Sequence, residues 1–169
     1  DPTDKTSKRR VWPTNVQNSF SGLTTIDVAI DRSFNTVSAK VVEMLTPQKC
    51  FDFLTNELHI STLVEEYIND SGDYFSDIAV GPMAHGSLTF GVTTLEMCAA
   101  YTIFANEGVY SSPRIYSQVT DTKGDIILQN NEKHEIVIKE STAYIMTKML
   151  EEVVTTSEYG DRLRLIREV

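Results

Sequence analysis

The stretch from Thr93 to Gly108 constrains the chain more than any other. Thr93 followed by Glu96 has the spacing of a capping box, in which each side chain satisfies the other residue's backbone N–H. Gly108 stands just past the far end, where a helix stops in the left-handed conformation that glycine adopts without steric cost. Between them, Leu95, Met97, Cys98, Ala99, Ala100, Ile103 and Phe104 place apolar groups around much of the circumference. A helix over about 94–106 follows, and this much apolar surface predicts a central, buried one. A chain with such a helix must build layers around it.

The surrounding pattern supplies those layers. Residues 1–22 are polar and broken by Pro2, Pro13 and Gly22, and Trp12 is expected to anchor this entry segment on the body. Thr24 with Asp27 predicts a capped helix over about 24–32, with Ile26, Ala29 and Ile30 on one side. A second helix is expected over 35–45, with Asn35 as cap and Val37, Val41, Met44 and Leu45 as its buried face. Thr46-Pro47 starts a third helix, with Phe51, Leu54 and Leu58 inward. A short helix is expected near 61–68, followed by a stretch rich in loops around Gly72, Gly81, Pro82, Gly86 and Gly91. Arg114 to Thr120, the turn Thr122-Lys123-Gly124-Asp125 and Ile126-Ile127-Leu128 read as a hairpin, with a further extended piece over Glu135–Ile138. Ser141 caps a last helix over about 141–155, with Ile145, Met146, Met149, Leu150 and Val153 inward. Arg162 to Leu165 alternates like a strand. The fold class is α+β: an entry segment (1–22), a helical part (23–109), a β-hairpin region (110–139), and a helix leading into a strand (140–169).

Composition narrows the function. The 169 residues are 41% hydrophobic and 23% charged, ordinary for one folded domain, and the net charge is −9. Lys8-Arg9-Arg10 is the one basic run, so nucleic acid is not an expected partner, because phosphate contacts need clustered cations. No apolar run reaches the roughly 20 residues a membrane span needs, so a membrane would be reached only through an anchor outside these residues. Cys50 and Cys98, each in an apolar helical pattern, are expected to be free buried thiols, and His59, His85 and His134 lack ligand spacing. No phosphate loop, dinucleotide fingerprint, zinc-protease or calcium-loop pattern occurs, so no cofactor or metal is expected. The acidic pairs Glu65-Glu66 and Glu151-Glu152 read as solvated surface.

Chemistry is concentrated at Ser33-Phe34-Asn35, the single S-x-N in the chain, lying between two helix patterns. Alone it is a helix break with Asn35 as cap. Its neighbours change that reading. Trp12-Pro13-Thr14-Asn15, then Phe20 to Thr25, then Ala29 to Asn35 resemble the approach to the S-x-N element of class A penicillin-binding proteins. Gly91 to Gly108 resembles that family's long helix, with its G-V-T-x-L-E-M opening and A-Y-x-x-F-A-N-x-G close. Pro113-Arg114-Ile115 with Val119, Asp121 and Gly124 resembles its hairpin, and Ala143 to Val154 its next helix. Cys98 stands where the family has a small residue, a volume a compact thiol can match, and the Gly-Thr expected near Tyr159-Gly160 is absent. Neither S-x-x-K nor K-T-G, the other two elements of serine-acylating transpeptidases, occurs. The T-x-x-K spacings at Thr46 and Thr120 follow the S-x-N instead of preceding it.

The resemblance implies an internal part of the transpeptidase or serine β-lactamase-like fold, carried by a protein at the extracytoplasmic face of a bacterial membrane. It implies a D,D-transpeptidase whose serine attacks the D-Ala-D-Ala end of a peptidoglycan stem peptide and is acylated by β-lactams. Ser33 would pass a proton toward the leaving group. Asn35 would bond the substrate backbone and help orient a neighbouring lysine. The chain alone, without the nucleophile, is expected to be inactive. Three rivals stand beside this reading: a non-catalytic helical module that recognises cell-wall peptide or a divisome partner, a fragment of a class D-like β-lactamase or penicillin sensor, and a generic helical domain whose long-helix match is coincidence.

Overall fold

A computed structural model describes residues 12–16 and 20–155, and its elements are arranged around one helix. That helix, α5 (Thr94–Ala105), carries the anticipated capping box: Thr93 Oγ1 accepts from the Glu96 N–H at 3.2 Å, and Glu96 Oε2 accepts from the Thr93 N–H at 3.1 Å. Ala99, Ala100 and Ile103 of α5 are buried with Phe51, Leu58, Ile60, Leu63 and Tyr110 in one core. Burial is one-sided, however. Leu95, Met97 and Tyr101 are more than two-fifths exposed, and Cys98 is exposed too, so the buried-thiol expectation fails there; Cys50 is half-buried. Helix α6 (Glu140–Thr155) covers part of α5 and also packs on α1 (Ile26–Asp31), leaving the remaining apolar face of α5 uncovered among the described residues.

The helix stops at Gly108, whose φ of +90° only glycine tolerates easily. A Cβ there would lie 2.1 Å from the Ile138 carbonyl oxygen, because the chain returns against it. Strand β3 (Val109–Ser111) then pairs antiparallel with β6 (His134–Ile136). The hairpin of β4 (Gln118–Thr120) and β5 (Ile126–Gln129) sits between them in sequence as anticipated, with Gly124 at φ +92° in its turn. Asp121 Oδ1 closes that turn by accepting from Lys123 N at 2.8 Å and Asp125 N at 2.9 Å. All residues of β4 and β5 are exposed.

Helix α2 (Asn35–Leu45) has the anticipated bounds but not the anticipated face. Ala39 and Val42 are buried, whereas Met44 and Leu45 are more than half exposed, and Val37 and Val41 line an open groove. The Thr46 side chain caps α3 (Pro47–Asp52) as expected, and a π-helical turn over Phe53–Glu57 extends it into the core. Residues 61–68 form no helix. Their end is β1 (Tyr67–Ile68), paired with β2 (Tyr74–Phe75), and the supposedly loop-like stretch holds α4 (Val80–His85). Two caps also differ. Helix α1 is preceded by Thr25 rather than Thr24, with no side-chain cap bond, and α6 begins at Glu140, so Ser141 lies inside its first turn. On α6, Met146, Met149, Leu150 and Val153 are half-buried, Ile145 is exposed, and the best-buried residue is Ala143. The alternating tail at 162–165 lies outside the described residues.

Glu96 does more than cap. Its Oε1 also accepts from Ser61 N at 2.7 Å and Ser61 Oγ at 2.8 Å, tying the loop after the π-helical turn to the start of α5. Hydrogen bonds from the Thr93 hydroxyl first, then from Ser61, pull its pKa down to about 2. A lowered carboxylate pKa stabilises the fold above the unfolded-state value of about 4.3 and loses that contribution as pH falls toward the folded value. Glu96→Gln is therefore expected to cost about 1–2 kcal/mol near neutral pH, because either amide orientation sets an NH2 against a backbone N–H. Thermal melts should show the gap between wild type and Glu96→Gln narrowing from pH 5 to pH 2.

Candidate active-site groove

The Ser33–Asn35 corner arises from how α1 ends. Ser33 N–H donates to the Ile30 carbonyl at 3.1 Å and Phe34 N–H to the Ala29 carbonyl at 2.9 Å. These are the two bonds of a Schellman stop, with Ser33 at the left-handed position where glycine is usual. Ser33 accordingly has φ +50°. A Cβ-bearing residue there costs about 1–2 kcal/mol that glycine would relieve, a conformation Ser33 shares with Thr46, His59 and Glu107.

Asn35 follows as the first residue of α2. It is not the cap. Phe34 holds that position and offers no side-chain bond. The missing acceptor comes from the entry segment: buried Asn15 accepts through Oδ1 from Thr36 N and from Thr36 Oγ1, both at 3.2 Å. Asn35 Nδ2 donates to the Thr14 carbonyl at 2.9 Å. From the other side His85, the last residue of α4, approaches the Asn35 carbonyl with Nε2 at 3.1 Å; a carbonyl only accepts, so Nε2 carries the proton. Trp12 stacks edge-on against His85 with ring centroids 5.7 Å apart, which is how the entry segment meets the body, although Trp12 stays 60% exposed.

Ser33 and Asn35 line a groove of about 500 Å³ between α1, α2 and α4. Its walls are mostly apolar, with Val37, Val41 and Met83 among them, and Ser33, Asn35, Ser38 and His85 are its polar groups. This is the usual make-up of a small-molecule or peptide site: an apolar cleft with few placed polar groups. Ser33 and Asn35 are the residues the sequence points to; Asn15 and His85 are not. Their only sequence signals were the Trp12-Pro13-Thr14-Asn15 string and a histidine one residue before Gly86.

Helix α4 is held in turn by Asp77, which is fully buried. Its Oδ2 accepts from Val64 N at 2.9 Å, and its Oδ1 accepts from Thr89 N and Thr89 Oγ1, both at 2.8 Å. One carboxylate thus fastens the loops on both sides of α4. Among the described residues no group of three or more His, Cys, Asp or Glu could hold a metal ion, and no helix is long and apolar enough to cross a membrane.

Residues 2–164 match the family model for the penicillin-binding protein transpeptidase domain. The chain belongs to that family. Among relatives of this chain, penicillin-binding protein 4 of Bacillus subtilis is 32% identical over 142 residues, which is 84% of this chain and 21% of that protein. The chain therefore spans about a fifth of the length of that relative. In three dimensions it is similar to penicillin-binding protein 1A from Haemophilus influenzae, with TM-score 0.65 and 15% identity over 86% of this chain and 24% of that one. It is also similar to the imipenem acyl-enzyme complex of penicillin-binding protein A from M. tuberculosis, with TM-score 0.59 and 15% identity, covering 82% of this chain and 34% of that one. The expected α+β transpeptidase fold, mostly helical with small strand pairs, is the fold observed.

Proposed function

We propose that this chain supplies the S-x-N wall of a D,D-transpeptidase that cross-links peptidoglycan stem peptides through an acyl-serine and is acylated by β-lactams. The observation that carries the reading is the strained Ser33 at the lip of the groove, beside an Asn35 fixed by Thr14. Family membership and the acyl-enzyme state of the M. tuberculosis neighbour support it. Ser33 Oγ can accept a proton and donate its own, so it relays a proton toward the departing amine while the acyl bond forms on another serine. Asn35 has Nδ2 committed to Thr14 and so offers Oδ1 as acceptor, the polarity needed to hold a neighbouring ammonium. Such a site works on the outer face of the cytoplasmic membrane, where stem peptides are joined.

The chain has no S-x-x-K and no K-T-G in its 169 residues, so it has no paired serine and lysine to accept the acyl group. Labelled penicillin is expected to leave no covalent adduct on this polypeptide alone and to label the complete transpeptidase that carries it. A stoichiometric adduct on the chain alone would show a nucleophile outside this scheme. An unlabelled complete protein would remove the transpeptidase reading.

A further inference from the structure

We propose that Asn15 is a positioning residue of the transpeptidase corner: by capping α2 from outside and bringing the Thr14 carbonyl onto Asn35, it sets both the place of Ser33–Asn35 and the orientation of the Asn35 amide. The inference rests on the transpeptidase reading above and extends it to a residue outside the S-x-N element. Three observations carry it. First, α2 has no cap of its own, since Phe34 has no acceptor and Asn35 already lies within the helix. A helix start leaves several N–H groups without partners, and Thr36 N–H is one that Asn15 Oδ1 satisfies. Second, Asn15 is 5% exposed although asparagine is seldom buried, and its oxygen takes both donors of Thr36, the N–H and the hydroxyl. Third, Thr14, its chain neighbour, presents a carbonyl 2.9 Å from Asn35 Nδ2.

An amide side chain can turn over and exchange its donor and acceptor ends. A backbone carbonyl accepts only, so Thr14 selects the orientation with nitrogen toward itself and oxygen toward whatever else Asn35 meets. Residue 14 can hold that position only while residue 15 is fixed, and residue 15 is fixed by Thr36, one step beyond Asn35. His85 braces the same residue through the Asn35 carbonyl on the other side. The corner is thus clamped from two segments distant in sequence. Loss of either Asn15 bond frees the Thr14 carbonyl from its place on Asn35, and reacting groups displaced by about an ångström can lose about 10²-fold in rate.

The test is penicillin acylation of the complete transpeptidase, resolved into non-covalent affinity and acylation rate constant, well below each variant's unfolding midpoint. Asn15→Leu, with the same branched outline but no acceptor, is expected to lower the rate constant about 10- to 100-fold with affinity changed less than about two-fold. Asn15→Asp, which keeps the acceptor oxygen, is expected to restore most of the rate. An Asn15→Leu protein acylating at the wild-type rate overturns the proposal. So does an Asn15→Asp protein as slow as Asn15→Leu, because space filling and not the acceptor would then be at work. If Asn15→Leu does not fold, Thr36→Val, which removes only the hydroxyl donor, is expected to slow acylation several-fold, and an unchanged rate overturns the proposal. Wild type and Ser33→Ala run in parallel: a wild-type protein that penicillin does not acylate takes down the transpeptidase reading itself, full acylation of Ser33→Ala takes down the relay role of Ser33, and slow Ser33→Ala with normal Asn15→Leu takes down only the role of Asn15.

Discussion

Ser33→Ala in the complete transpeptidase is expected to slow penicillin acylation by about 10²–10⁴-fold, the range typical for losing one proton-transfer group, while the unfolding midpoint stays where it was. Alanine is the informative replacement because of the backbone. Ser33 sits at φ +50°, and alanine carries the same Cβ into the same left-handed position. The steric cost of about 1–2 kcal/mol is thus common to both proteins and cancels. Glycine would remove the hydroxyl and the strain together, so Ser33→Gly should be equally slow yet more stable by about 1 kcal/mol. The pair separates chemistry from fold. A Ser33→Ala protein acylated at the wild-type rate would reduce the corner to a helix stop.

Asp77→Ala is expected to be the most destabilising single change considered, by about 3 kcal/mol or more. It strands the Val64 and Thr89 N–H groups and the Thr89 hydroxyl, and each buried group left unpaired costs about 1–3 kcal/mol. Against a total stability of about 5–15 kcal/mol that is a large share. Asp77→Asn should recover only part, because its NH2 must face either the Val64 N–H or the two Thr89 donors. Denaturant unfolding of the three proteins measures this directly, and equal midpoints for wild type and Asp77→Ala would show that water replaces the carboxylate. Because α4 packs on α2, the loss should reach the groove as well.

What could be read from sequence was what repeats or caps locally. The α5 capping box, the bounds of α2, the Thr46-Pro47 start of α3 and the β4–β5 turn all depend on neighbours within a few residues, and all are present. Ser33 and Asn35 were legible through the strings flanking them, and both line the groove. The two misread helix faces share a cause. A buried face inferred from periodicity assumes that what it meets is core, whereas the stripe of α2 meets an open groove and that of α5 is only partly covered. Asn15 and Asp77 escaped because a polar residue between helix patterns looks solvated until the partner that desolvates it is known, and their partners lie 21 and 13 residues away; His85 stays exposed, and the Asn35 carbonyl it meets lies 50 residues away. The strand pair at 67–75 was missed for lack of length, since strands of two residues leave almost no alternation to detect.

The β4–β5 hairpin has water on both faces. A ladder so placed holds together by its own cross-strand pairs, each contributing about 0.2–1 kcal/mol, and can open without disturbing the α5 core. Chain length can therefore be changed at Thr122–Gly124 with little effect on the α5 core, and no residue of the hairpin lines the Ser33–Asn35 groove. That makes the tip a natural place to splice in a reporter, an affinity handle or a tether, and a place where related proteins are free to diverge in size.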